Sequence, residues 1–416
     1  MEKMFLTAAG VLMAAVSCCS KDSPPDAASR LKARMQTVAE SPRYFWAWTD
    51  PWLNPWDWNG DMRNVVEMGG AFQPKPIDEV SLECEYLSCS GGRRAILNYA
   101  DISSLAGTWH PDRYYSINRA GMTAAAKRQW REFGGVMVFS WHMDHPYCTN
   151  GFNQATFRFK SEGENRNVVR QILDGTGGPC GDGCVGEQRK PFANPREWFL
   201  SLLQNLADFL AGLVDDETGE KIPVILRYPH EMDGDWFWWG RGWCEADEFR
   251  RLCRLEADFL RERCPGQILF AYTTDRTWGD FGTEGDSGNT FLAYYPGDKY
   301  VDILGIDDYS IGHGDDASAE HDLAETVRKL RLLTAFAKER GQVVAISESG
   351  GQQKRRDFWT FLHRAATAER VECAFVNTWH GIWGTTPETP EEAEDQRAFV
   401  AHPEVIMEGK EQGGGL

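Results

Sequence analysis

Pro223-Val-Ile-Leu-Arg-Tyr-Pro-His-Glu-Met-Asp-Gly-Asp-Trp-Phe-Trp-Trp-Gly240 is the stretch on which the fold turns. A short, mostly apolar run (223–228) breaks off at His230 and Glu231, turns at Gly234, and is followed by Trp236, Phe237, Trp238 and Trp239. A continuous rather than alternating apolar run of this length suits a strand buried on both faces. Seven further runs of the same kind flank it, at 44–48, 95–99, 136–141, 268–272, 301–306, 343–347 and 374–379.

Amphipathic stretches lie between the runs. Trp198, Leu202, Leu206, Phe209, Leu210 and Leu213 fall on one helical face behind Asn194-Pro195, an N-cap with proline in the first turn. Phe249, Leu252, Phe259 and Leu260 repeat the pattern before Cys264-Pro265-Gly266, and a third helix runs from Ala324 to the stop at Gly341. Eight strands alternating with helices predict a single (β/α)8 TIM barrel with long decorated loops. An open doubly wound sheet is the alternative, but no Gly-rich phosphate loop follows the first run. No linker or repeat interrupts 40–400, so 39–405 is expected to be one catalytic domain, with 406–416 as a flexible tail.

In such a barrel chemistry sits at the C-terminal strand ends. The residues just past the runs are Asp50, Asp101, His142, His230 with Glu231, Asp275, Asp307, Glu348 and His380. Glu231 stands beside an aromatic wall, which strips water from a carboxyl group and raises its pKa toward that of a general acid. Glu348, in Val343-Val-Ala-Ile-Ser-Glu-Ser-Gly-Gly351, is delivered by an apolar strand into a Ser/Gly turn. Strands four and seven face each other across the mouth, so the two form a carboxylate pair whose spacing separates a retaining from an inverting glycosidase.

Composition agrees with a sugar ligand. A formal net charge of −18 repels polyphosphate and excludes nucleic acid as a partner. The 17 Trp, 12 Tyr and 22 Phe, several of them among Gly, Asp and Asn, supply rings for stacking on sugar CH faces.

On the His230-to-Gly240 segment and the Ile346-Ser-Glu-Ser-Gly350 segment, the chain resembles glycoside hydrolase family 26 over roughly residues 40–400. The resemblance implies a (β/α)8 retaining enzyme without cofactor or metal, acting on β-1,4-mannan. It implies Glu231 as acid/base and Glu348 as nucleophile. Carried over one by one, His230 resembles the histidine before the acid/base, and His142 in Phe139-Ser-Trp-His142 the strand-three histidine of the glycone subsite. Tyr309 resembles the tyrosine that hydrogen-bonds the nucleophile, with Asp307 beside it, and Trp236 and Trp379 resemble the aromatic platforms. Asp233 stands where the family commonly has Asn, and Arg227-Tyr-Pro replaces Arg-Pro plus an apolar residue. The long stretches 54–92 and 148–195 are expected to wall off one end of the cleft and favour release of short oligosaccharides. Related β-1,3-xylan or mixed-linkage β-glucan substrates stay open, as does a non-catalytic glycan-binding lipoprotein.

Other signals fix the setting. Lys3, an apolar stretch from Phe5 to Val16 and Ala15-Val16-Ser17-Cys18 resemble a bacterial lipoprotein signal (1–18) with Cys18 as the acylated residue, though Cys19 leaves the position open by one. Residues 19–38 are expected to form a tether, and the protein to be an exported, lipid-anchored monomer touching membrane through that anchor alone. Of the nine remaining cysteines, Cys84 with Cys89 and Cys180 with Cys184 are near enough for small-loop disulfides. A metallohydrolase fails on spacing, because an H-E-x-x-H motif starting at His230 needs histidine at Gly234, and a His-x-His-x-Asp-His motif ending at His145 needs it at Ser140.

Overall fold

All eight runs are strands in the computed structural model, which describes residues 24–49, 65–68, 71–74, 96–101, 123–124, 126–131, 134–143, 145–147, 154–163, 166–180, 192–283, 288–351, 354–379, 387 and 389–407. In chain order the strands are β1 (Tyr44–Thr49), β2 (Val65–Met68), β3 (Ala71–Pro74), β4 (Leu97–Asp101), β5 (Val136–Ser140), β6 (Val224–Arg227), β7 (Ile268–Asp275), β8 (Ile303–Asp307), β9 (Val343–Glu348), β10 (Cys373–Thr378) and β11 (Val405–Ile406). β2 and β3 form a separate antiparallel pair. The others are parallel in the order β10-β9-β8-β7-β6-β5-β4-β1, with β10 also paired to β1, so the sheet closes on itself as a (β/α)8 barrel and has no open edge within the ring.

Side chains alternate along each strand, so every second residue points into the barrel. The lower inward layers are apolar: Phe45, Val136, Val138, Ile225, Leu269, Ala271, Ile303, Val343, Ala345 and Phe375 belong to one buried cluster. Two residues further on, the same strands place Ser140, Arg227, Thr273, Asp307 and Ser347 in a polar layer, all fully buried. Gly305 sits between these layers because a Cβ there would lie 2.4 Å from Ser347 Oγ and 2.5 Å from Thr273 Cγ2.

The helices include α1 (Ala27–Glu40), α2 (Gln154–Ser161), α3 (Val168–Asp174), α4 (Pro195–Ala211), α5 (Ala246–Arg263), α6 (Asp316–Arg340), α7 (Phe358–Ala366) and α8 (Pro390–Ala401), and residues 123–124 and 126–131 are also helical. The Asn194 cap forms as expected, its side chain accepting from the Glu197 N–H at 3.0 Å. α6 stops at Gly341, whose φ of 62° is the left-handed cap glycine adopts without strain.

α1 corrects the tether expected over 19–38. Ala28, Leu31, Met35, Val38 and Ala39 recur at helical spacing and join the apolar cluster inside the barrel, while Asp26 caps the helix by accepting from the Ser29 N–H at 2.8 Å. Lys32 reaches Asp302 at 2.9 Å and Gln36 donates to the Gly341 carbonyl at 2.8 Å, both just before strands begin. The helix therefore covers the floor of the barrel. Residues 406 and 407, expected in the tail, are also part of the fold: Ile406 pairs with Phe45, and Met407 is buried. Helices α2 and α3 lie within the stretch 148–195. Cys180 is a free buried thiol, so the small-loop bridge to Cys184 is not made. Cys18, Cys84, Cys89, Cys184 and His380 lie outside the described residues.

Candidate active site

β6 ends by sending Arg227 inward, and Pro229 then takes the chain out of the sheet toward His230 and Glu231. Glu231 has a φ of 52°, an uncommon backbone conformation for a side-chain-bearing residue that costs on the order of 1–3 kcal/mol. It is held there by its N–H donating to the Thr273 carbonyl at 3.1 Å and its carbonyl accepting from the Gly234 N–H at 3.0 Å. A Cβ on Gly234 would lie 2.4 Å from the Trp236 ring, so glycine lets the indole fold back over the turn. Trp236 Nε1 then donates to Glu231 Oε2 at 2.7 Å. The next three aromatics are scaffold. Phe237 and Trp239 stack at 4.5 Å, Trp239 Nε1 donates to the His230 carbonyl at 2.7 Å, and Trp238 Nε1 to that of Met143 at 3.2 Å.

Opposite, β9 delivers Glu348. Arg227 donates to its Oε1, and the Tyr309 hydroxyl donates to its Oε2 at 2.7 Å. The same guanidinium donates to Asp307 Oδ2, and Ser347 Oγ donates to Asp307 Oδ1 at 2.6 Å. Thr273 Oγ1 accepts from Arg227 Nε at 3.1 Å. One fixed cation thus binds two carboxylates, and both carboxylates have further donors, which is the condition for a buried ion pair to be worth keeping.

Carboxyl oxygens of Glu231, Asp307 and Glu348 all lie within 4.8 Å of one another. Three carboxyl donors are the set a hard cation prefers, and here Arg227 already places positive charge between two of them. Among the described residues, Glu231 is the one of the three without a cationic partner. Burial pushes its carboxyl well above the usual range, and the nearby Asp307 and Glu348 push it further, against the Trp236 hydrogen bond. Burial also raises the Tyr309 phenol, which therefore stays a donor to Glu348. The two glutamates consequently differ in environment: one is held by a guanidinium and a phenol, and the other is desolvated under an indole.

His142, immediately beyond β5, meets His230 edge to face at 4.7 Å and Trp379 at 6.1 Å. Burial and Arg227 hold His230 well below its ordinary pKa, so its imidazole is neutral. His142, His230, Trp236, Asp307, Tyr309 and Trp379 are thus gathered around the glutamate pair. Sequence reasoning gave Arg227 no role, although a charged residue at the inward, C-terminal end of an otherwise apolar strand was its signal. The polar layer of Ser140, Thr273 and Ser347 went unread because small hydroxyl residues in a strand carry no comparable mark.

Fold and site define a (β/α)8 barrel with a carboxylate-lined pocket, one glutamate after the fourth barrel strand and another at the end of the seventh. The model of glycosyl hydrolase family 26 matches residues 190–372, which hold both glutamates and Arg227, so this part of the chain is similar to that family. A mannan endo-1,4-beta-mannosidase from Bifidobacterium adolescentis is 34% identical over 179 residues, covering 40% of this chain and 17% of that protein. One from Bacillus subtilis is 33% identical over 116 residues, covering 26% of this chain and 28% of that protein. The matched part therefore spans less than a third of either relative's length. In structure the chain is similar to a GH26 beta-mannanase from Bacteroides ovatus, with a TM-score of 0.67, 21% identity, and coverage of 92% of this chain and 95% of the other. It is likewise similar to GH26C from a Muricauda species, with a TM-score of 0.67, 22% identity, and coverage of 91% and 90%.

Proposed function

We propose that this protein is a retaining glycoside hydrolase cleaving β-1,4-mannosidic bonds in mannan, glucomannan or galactomannan by double displacement, endo-acting or releasing short oligosaccharides. The observation that carries the reading is the approach of Glu231 and Glu348 to within 4.8 Å between unlike environments. Retaining enzymes hold their carboxyls about 5–5.5 Å apart, and inverting ones leave about 6.5–9.5 Å for a water.

Glu231, kept protonated by burial, gives its proton to the leaving glycosidic oxygen. Glu348 Oε2 or Oε1 attacks the anomeric carbon as that bond breaks, and Arg227 and Tyr309 hold the attacking carboxylate in line. Glu231, now ionised, takes a proton from water, which displaces Glu348 and restores both groups. Trp236 and Trp379 offer stacking faces, and His142 and His230 polar edges, for the sugar at the point of cleavage. The mannanase relatives and the family 26 match support mannan as substrate. The apolar N-terminal segment ending at Cys18 supports export and a lipid anchor in a bacterial envelope, with the enzyme acting as a monomer on polysaccharide.

A product profile over mannan, glucomannan, β-1,3-xylan and mixed-linkage β-glucan tests substrate and mode together. NMR of the first-formed product should show retained configuration, and an inverted product rules out double displacement. Glu348→Ala should abolish turnover. Glu231→Ala should be rescued by azide on substrates with good leaving groups.

A further inference from the structure

Away from the mouth, His363 on α7 and the pair His402 and Glu404, between α8 and β11, converge beside the N-terminal end of β1. Each offers a donor atom, and the three atoms lie within 4.8 Å of one another. His402 and Glu404 lie in one turn, closed by the Val405 N–H donating to the His402 carbonyl at 3.1 Å, which keeps their side chains close together. The two imidazoles lie face to face, with centroids 3.8 Å apart and planes 13° from parallel.

Two further observations point to a ligand. Glu404 Oε2 is shut off from solvent with no hydrogen-bond partner, and sits 3.8 Å from His402 Nδ1. A carboxylate oxygen so placed is costly unless a positive charge meets it. His363 Nδ1 is already engaged by the buried Tyr44 hydroxyl at 2.9 Å, which fixes the ring and leaves Nε2 as its other donor. A metal-ligating histidine is commonly oriented in this way, with its second nitrogen bound to an outer polar group.

We propose that His363, His402 and Glu404 form a binding site for a divalent transition-metal ion of the zinc class. Two imidazoles and one carboxylate favour a borderline ion over magnesium or calcium, which take oxygen ligands. Bonds of about 2.0–2.2 Å in a tetrahedron set donors about 3.3 Å apart, so the His402–Glu404 pair at 3.8 Å closes by about 0.5 Å and the other pairs by at most about 1.5 Å. The exposed His402 ring does the moving: it turns out of the stack to bring its lone pair onto the ion, while Tyr44 keeps His363 in place. The open side admits water to the fourth position. The site joins α7 to the segment that carries the chain into β11 and onto β1, so an ion there staples the last strand to the barrel.

Calorimetric titration of Zn2+ into tag-free, chelator-stripped full chain near neutral pH tests the proposal. It should show one saturable site per chain, weakened at least tenfold by His402→Ala and about tenfold by Tyr44→Phe, the usual size of an outer-ligand loss. Glu348→Gln should leave the affinity unchanged. The thermal midpoint should rise with Zn2+ in the parent and stay flat in His402→Ala, whose exposed side chain can be removed without disturbing the core. A parent without saturable binding overturns the proposal. So does a site that survives both His402→Ala and Glu404→Gln, or one that is lost in Glu348→Gln.

Discussion

Glu256→Gln should stabilise the protein, and by an amount that grows with pH. Glu256 lies on the buried face of α5, fully shielded from solvent, and neither of its carboxyl oxygens has a hydrogen-bond partner. Burial alone pushes its pKa from 4.5 to about 8. Because the folded-state value lies above the unfolded one, the stability of the neutral form is complete below about pH 4.5 and is lost as pH rises through 8. Each unit costs about 1.4 kcal/mol, so at pH 7 the parent has lost roughly 3 kcal/mol, and by pH 8 roughly 5. Glutamine keeps the shape and does not titrate, so the variant escapes this loss. Urea unfolding of both proteins at intervals from pH 5 to 8 reads the difference, in which the titration of all other groups cancels. The gap should be within about 1 kcal/mol at pH 5 and widen steadily toward pH 8. A gap that stays constant across the series refutes the reasoning, because Glu256 would then ionise equally in both states.

The site offers further tests. Arg227→Met strands two buried carboxylates and should cost about 3–5 kcal/mol in urea unfolding, with part of that recovered in Arg227→Met/Asp307→Asn because one lone charge is gone. Tyr309→Phe removes one hydrogen bond to a charged group, of about 1.5–3 kcal/mol, so kcat should fall about 10- to 100-fold with KM little changed; equal loss in both would show the contact to be made in the ground state as well. Trp236→Phe should lower kcat/KM about tenfold. It also deletes a bond that favours ionised Glu231, so the alkaline limb of the pH–rate profile should move upward, and movement to lower pH would remove Glu231 from the acid role.

Much of this was legible in the sequence because barrel strands are buried on both faces and therefore read as unbroken apolar runs. The catalytic candidates were legible for the same reason: Glu231 and Glu348 are the points at which two such runs stop. Arg227 was hard to see because its burial is tolerated only through Asp307 and Glu348, which lie 80 and 121 residues away. The helix at 27–40 was obscured by the Pro- and Ser-rich segment before it. Its apolar spacing has meaning only once the barrel floor exists to receive Leu31 and Met35. The contribution of Trp236 was half legible: an aromatic platform was expected, but not its hydrogen bond to Glu231, which depends on Gly234 letting the chain double back.

The position of α1 has a practical corollary. The described chain begins beneath the barrel, on the side opposite the pocket, so any support that grips the protein by its leading end grips it from behind. Coupled through that end to a bead, an electrode or a vesicle, the protein would turn its pocket outward to meet a polymer too large to diffuse around it. Coupling through residues near the mouth would present the floor instead.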